Sequence, residues 1–187
     1  SLISHLNPSA RLRLHREPVR PEPTGVAYGE EQDGAGWVRL LNGEFDPHMT
    51  DPRVGAFRYE RLRPLHPGRL RRLLDDRIER GEFGAVIRSA GFCRLATRSR
   101  AVARWDHVGR MISLHPAALD DELGVEDDVL SFGQELAFIG LDLDVDGLRR
   151  ALDETALTNA EFAAGPEVWA WFPDPFPAWR IAPDRAE

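Results

Sequence analysis

The chain of 187 residues contains no lysine; all 24 of its basic residues are arginine. A whole class of chemistry goes with that residue. A P-loop needs a lysine to reach the β- and γ-phosphates of a nucleotide, in the pattern G-x-x-x-x-G-K-[ST], so this chain holds no such loop. Schiff-base catalysis through a lysine amine is excluded on the same ground. Cysteine is nearly as scarce. Cys93 stands alone, which rules out an intrachain disulfide and any zinc site built from two or more cysteines of one copy. A single cysteine also favours an intracellular setting. No stretch approaches the roughly 18–20 apolar residues that cross a bilayer. The opening Ser1-Leu2-Ile3-Ser4-His5 has neither the basic nor the long apolar region of a signal peptide. The net charge of −7 argues against a general nucleic-acid binder.

What is present reads as a folded domain with an extension in front of it. The hydrophobic fraction of 42% and charged fraction of 29% are those of a globular protein with a core. Residues 1–17 are short, mixed and basic. Residues 18–53 hold Pro18, Pro21, Pro23, Gly25, Gly29, Gly34, Gly36, Gly43, Pro47 and Pro52, the composition of a linker. Trp37-Val38-Arg39-Leu40-Leu41 interrupts it and is expected to dock as a short helix. Residues 54–187 form the domain proper.

Within that domain, Ala56 to Arg63 predicts a strand. His66-Pro67 then opens a helix, with Pro67 suited to its first position. Leu70, Leu73, Leu74 and Ile78 form one apolar stripe, and Gly81 and Gly84 end it. Short strands follow over 85–89 and 91–97, then a hairpin of Val102–His107 and Arg110–His115 turning near Val108-Gly109. An acidic insertion runs from Asp120 to Asp128 and reads as a solvated loop. Gln134 to Asp144 is the strongest strand. Ala137, Ile139, Leu141 and Leu143 form its apolar face and are expected to point to the core. Asp144 or Asp146 caps the next helix. Thr158 and Glu161 form a capping box, flanked by Leu157 and Phe162. The tail from Trp169 to Trp179 is rich in aromatics and proline, and is expected to run extended and pack its rings on the domain. The sum is an α+β fold: a mostly antiparallel sheet of four to five strands with helices packed on one face.

Four ordered segments carry a resemblance. Phe57-Arg58-Tyr59 followed by Arg63-Pro64-Leu65-His66-Pro67-Gly68-Arg69-Leu70 comes first, and Arg88-Ser89-Ala90-Gly91-Phe92-Cys93-Arg94-Leu95-Ala96-Thr97-Arg98 second. Gln134-Glu135-Leu136-Ala137-Phe138-Ile139-Gly140 is third. Leu157-Thr158 through Glu161, Gly165-Pro166 and Pro173-Asp174-Pro175-Phe176-Pro177 complete the set. Together they resemble the C-terminal half of CobW-family proteins. Residues 1–17 are similar to the end of that family's GTPase domain, and Gly36-Trp37 with Gly43-Glu44 to its linker.

The resemblance implies a cytoplasmic P-loop GTPase that delivers zinc, or in some branches cobalt, to client metalloproteins. Its GTP, magnesium and metal chemistry would belong to the GTPase domain, so this chain alone is expected to be no enzyme and to hold no cofactor. Its expected partners are a CobW-type GTPase domain, in cis or in trans, and a metalloprotein client, with no membrane and no nucleic acid. His66, Arg69, Arg94 and Arg98 are the candidate client or interdomain surface, with His66 also read as a helix cap. The rival reading is an autonomous metal-binding protein, with Cys93, His107 and His115 meeting on neighbouring strands. Asp142, Asp144 and Asp146 resemble part of a calcium loop, but position 12 is Asp153 where that loop needs glutamate, so capping is the better reading.

Overall fold

The computed structural model describes residues 1–10, 34–120 and 133–179. Its centre is a five-stranded antiparallel sheet in the order β1-β5-β2-β3-β4. The strands are β1 (Val54–Arg61), β2 (Ala85–Cys93), β3 (Ala101–Val108), β4 (Met111–Leu119) and β5 (Gln134–Leu141). The α+β class and the antiparallel sheet read from the pattern are therefore the observed ones, with several helices packed against the sheet. The acidic insertion from Asp121 to Asp128 lies outside the described residues.

One sheet face carries the main core. Phe57 and Tyr59 of β1 pair with Phe138 and Leu136 of β5. They pack with Trp105 and with Leu70, Leu73, Leu74, Leu148 and Leu152 from helices in one buried cluster. Burying each such side chain stabilises the fold by about 1.5–3 kcal/mol. The helices are α3 (Pro67–Arg72), continued as a π-helical stretch over Leu73–Ile78, and α4 (Val145–Thr155). Gly91 sits opposite Trp105 at φ +143°, where a Cβ would lie 2.1 Å from the Glu135 carbonyl oxygen.

Both faces of β5 are buried, and the alternation read from the sequence names only one of them. Leu136 and Phe138, not Ala137 and Ile139, join the main cluster. The physical reason lies at the strand's end. Asp142 adopts φ 51° and Asp144 leaves the sheet to cap α4 by accepting from the Gly147 N–H at 2.9 Å. Neither aspartate marks a polar sheet face, because neither is a strand residue. Ala137 and Ile139 are also fully buried. On their side α1 (Leu2–Leu6) and α2 (Gly36–Leu41) contact β5 and β1. The expected helix at Trp37–Leu41 is thus present and docked. A Cβ on Gly36 would meet the His5 carbonyl oxygen at 1.7 Å, so glycine is what lets the two short helices touch.

Two further boundaries moved. The strand expected at 56–63 ends at Arg61, leaving Leu62 76% exposed. The two short strands expected over 85–97 are one strand to Cys93, followed by a 3-10 turn at Ala96–Arg98.

Candidate functional site

The four recognisable segments converge on one end of the sheet and bind one another. The stretch after β1 is the hub. Leu65 donates its N–H to the Arg94 carbonyl at 2.9 Å, and its own carbonyl accepts from Ala96 at 2.9 Å. His66 donates its N–H to Thr155 at 2.8 Å, and Leu157 donates to Pro64 at 3.0 Å. Gln134, almost wholly buried, closes the same knot. Its Oε1 accepts from the Arg94 N–H at 2.7 Å and its Nε2 donates to the Arg63 carbonyl at 3.0 Å. A buried amide has to satisfy both ends, and here both partners are backbone groups of neighbouring motifs.

The C-terminal tail is fastened to this knot by side chains. The capping box at Thr158 and Glu161 is formed, opening α5 (Asn159–Ala164) ahead of α6 (Pro166–Trp169). Glu161 has a second task. Its two carboxylate oxygens accept from Arg69 Nη1 and Nη2, each at 2.8 Å. Arg69 also donates to the Ala156 carbonyl at 2.9 Å. Those hydrogen bonds from Arg69, with help from Thr158, hold the Glu161 carboxyl down at about 2. Further along, Asp174 Oδ2 accepts from Thr97 Oγ1 at 2.6 Å and Arg98 Nε at 2.8 Å. Its Oδ1 accepts from the Phe176 N–H at 3.0 Å. Trp179 ends the strap. Its indole N–H donates to the Leu114 carbonyl at 2.9 Å, and the Arg98 guanidinium lies 4.3 Å from its ring centre.

The residues proposed as an outer surface are internal fasteners. His66 Nδ1 accepts from the Gly68 and Arg69 N–H groups at 3.1 and 3.4 Å, capping α3 as expected. Its ring stacks on Phe172 at 4.7 Å. Burial, then the Arg69 charge, keeps its pKa below the usual histidine value. Arg69 is spent on Glu161. Arg94 is 8% exposed and donates to the Ser99 carbonyl and to Asp120 Oδ1. Arg98 is spent on Asp174, Trp179 and the Phe176 carbonyl. Nothing in the sequence marks these partners, since Glu161 and Asp174 lie 92 and 76 residues away from their arginines.

The Cys93, His107 and His115 set is not assembled. Cys93 faces Ala103, His107 faces Ser89, and His115 faces Arg104. Strand alternation then puts His115 on the opposite sheet face from the other two. Cys93 and His107 share a face but lie four positions apart along it, about 13 Å. Among the described residues no three histidine, cysteine or carboxylate side chains are grouped to hold a metal ion. Cys93 is a fully buried core residue whose thiol is pushed by burial to about 12.

Sequence reasoning missed a buried polar chain beside it. Trp105 Nε1 donates to Ser89 Oγ at 2.9 Å, and Ser89 Oγ meets His107 Nδ1 at 2.9 Å. His107 Nε2 meets the Gly109 carbonyl at 2.8 Å. The carbonyl can only accept, so Nε2 carries the proton. Nδ1 then accepts from the serine hydroxyl, and each group is satisfied with the imidazole neutral. Burial lowers the His107 pKa accordingly. A serine and a histidine in contact resemble a nucleophile pair, but Ser89 is 0% exposed, so no substrate reaches it. The pair is structural.

What stands at this point is an α+β domain whose motif residues secure its own C-terminal strap and whose sequence holds no P-loop lysine. Residues 54–156 match the family described as the cobalamin synthesis protein cobW C-terminal domain, and the chain belongs to that family. Among curated proteins it is similar to the zinc-regulated GTPase metalloprotein activator 1 of Dictyostelium discoideum. The two are 28% identical over 199 aligned residues, 93% of this chain and 41% of the relative. The chain thus spans well under half the length of that relative. Among solved structures it is similar to the Zn(II)-bound YjiA GTPase from E. coli, at 14% identity and TM-score 0.44, over 60% of this chain and 34% of that one. A Zn(II)-bound triple mutant of YjiA gives 14% and 0.47, over 72% and 42%.

Proposed function

We propose that this chain is the non-catalytic C-terminal regulatory and client-interaction domain of a CobW-type, GTP-dependent metal chaperone. Its partners are the GTPase domain, in cis or in trans, and a metalloprotein client in the cytoplasm. GTP, magnesium and the delivered zinc or cobalt are handled by the GTPase domain. The observation that carries this reading is the family match over 54–156 in a sequence without lysine. Membership supplies the context, and the missing lysine removes the phosphate-binding loop from this chain. The hydrogen-bonded knot of the four segments supports a scaffold role, because the motif residues hold a shape and leave no reactive group exposed.

Calorimetric titration of the chain with GTP and magnesium tests the first half of the proposal. No heat of binding is expected. Micromolar affinity in the isolated chain would overturn the reading. The second half is tested by adding a CobW-type GTPase domain as a separate polypeptide, where a complex is expected.

A further inference from the structure

An opening lies where the C-terminal strap passes the end of the sheet. It is a trough of about 600 Å3, within the roughly 300–1,000 Å3 range of ligand sites. Thr97, Arg98, Ser99 and Arg100 form one wall, and Leu119 and Trp179 supply apolar surface. The trough is open to solvent and not enclosed, which suits an exposed chain more than a sequestered small molecule.

Its charge is unbalanced. Asp174 also lines it, but both Asp174 oxygens are occupied by Thr97, Arg98 and the Phe176 N–H. That carboxylate is thereby offset by Arg98. Arg100 is different. It is exposed, and its side chain has no hydrogen bond or ion pair to any described residue. Only its backbone carbonyl is engaged, accepting from the Asp120 N–H at 3.0 Å. Arg98, by contrast, is engaged by Asp174, the Phe176 carbonyl and the Trp179 ring. The trough therefore offers one guanidinium, that of Arg100, without a partner among the described residues, and an aromatic ring fixed in place by Leu114 and Arg98. Arginine forks match carboxylate geometry, and a held tryptophan gives apolar contact at little entropic cost.

We propose that this trough docks an extended peptide through an acidic side chain paired with Arg100, with a neighbouring apolar side chain against Trp179 and Leu119. The site goes beyond the assignment to a metal-chaperone family. It is read on this chain alone, so its fate is separate from that of the GTPase partnership.

The test is a titration of the isotopically labelled full chain, followed by NMR. The probe is an acetylated and amidated peptide of sequence Ala-Asp-Leu-Asp-Ala, with an Ala-Asn-Leu-Asn-Ala control. Saturable shifts are expected at the Trp179 indole N–H and the Ala101 and Leu119 amides. The asparagine peptide should bind about tenfold more weakly, as loss of a charge-assisted pair implies. Arg100→Glu should weaken the acidic peptide by at least about tenfold. Arg104→Glu, at an exposed arginine outside the trough, should change it less than about twofold. Because the Arg100 side chain is exposed and makes no hydrogen bond or ion pair to a described residue, Arg100→Glu should keep the parent spectrum elsewhere. Absence of shifts at millimolar peptide, equal binding of the asparagine control, or unchanged affinity in Arg100→Glu would each overturn the proposal.

Discussion

Removing the Arg69 guanidinium is the sharpest perturbation of the knot. Arg69→Ala deletes two hydrogen bonds to Glu161 and one to the Ala156 carbonyl. The Glu161 carboxyl sits at about 2 in place of its ordinary 4.5. That gap sets a ceiling of about 3 kcal/mol on what its partners contribute. The two side chains remain 24% and 26% exposed, so solvent screens part of it. An exposed pair is worth about 0–1 kcal/mol, and breaking a buried one costs about 3–5. The expected loss is about 2 kcal/mol at pH 7. The sign with pH follows from the depressed carboxyl. Its contribution is complete above 4.5 and fades as pH falls from 4.5 towards 2. Urea unfolding of the parent and Arg69→Ala, followed by tryptophan fluorescence, should therefore show a gap that narrows between pH 5 and pH 3. Arg69→Lys should recover less than half, because an ammonium cannot make the forked contact. A gap below about 0.5 kcal/mol at pH 7, or one unchanged at pH 3, would refute the reasoning.

Three further outcomes follow from the core. His107 and His66 are held neutral with lowered pKa values, so the unfolded chain binds more protons below pH 6.5. Stability should fall as pH drops from 6.5, and His107→Gln should flatten the urea midpoint measured from pH 7.5 to 5.5. Ser89→Ala leaves the Trp105 N–H and His107 Nδ1 without their shared partner and should cost about 2 kcal/mol in the same assay. Cys93, fully buried and pushed to about 12, should react with a thiol reagent only as fast as the chain unfolds. Rapid native-state labelling would contradict its placement.

Local features were legible because their physics is local. The Thr158–Glu161 box, the Pro67 helix start, the hairpin turn and the apolar stripe of Leu70 to Ile78 all depend on neighbours within a few residues. Strand faces were harder. β5 is apolar on both sides because α1 and α2 cover one and α3 and α4 the other, and alternation cannot rank two buried faces. The arginines were hardest of all. In sequence Arg69, Arg94 and Arg98 look like a basic surface, yet their partners Glu161, Asp120 and Asp174 are brought to them only by the closed fold. A charge cluster reads as solvated until the distant opposite charge is located. Gln134 shows the same limit, since its two bonds join Arg63 and Arg94 across three strands' worth of chain.

On the proposed function, this chain is the accessory part of a GTP-dependent system and has no nucleotide chemistry of its own. The most direct measurement is the affinity of the chain for a separately expressed CobW-type GTPase domain, loaded in turn with GTP and with GDP. An accessory domain that senses the nucleotide should bind the two forms with affinities differing by about fivefold or more, the lower end of ordinary coupling between sites. No association with either form, or identical affinity for both, would contradict the account.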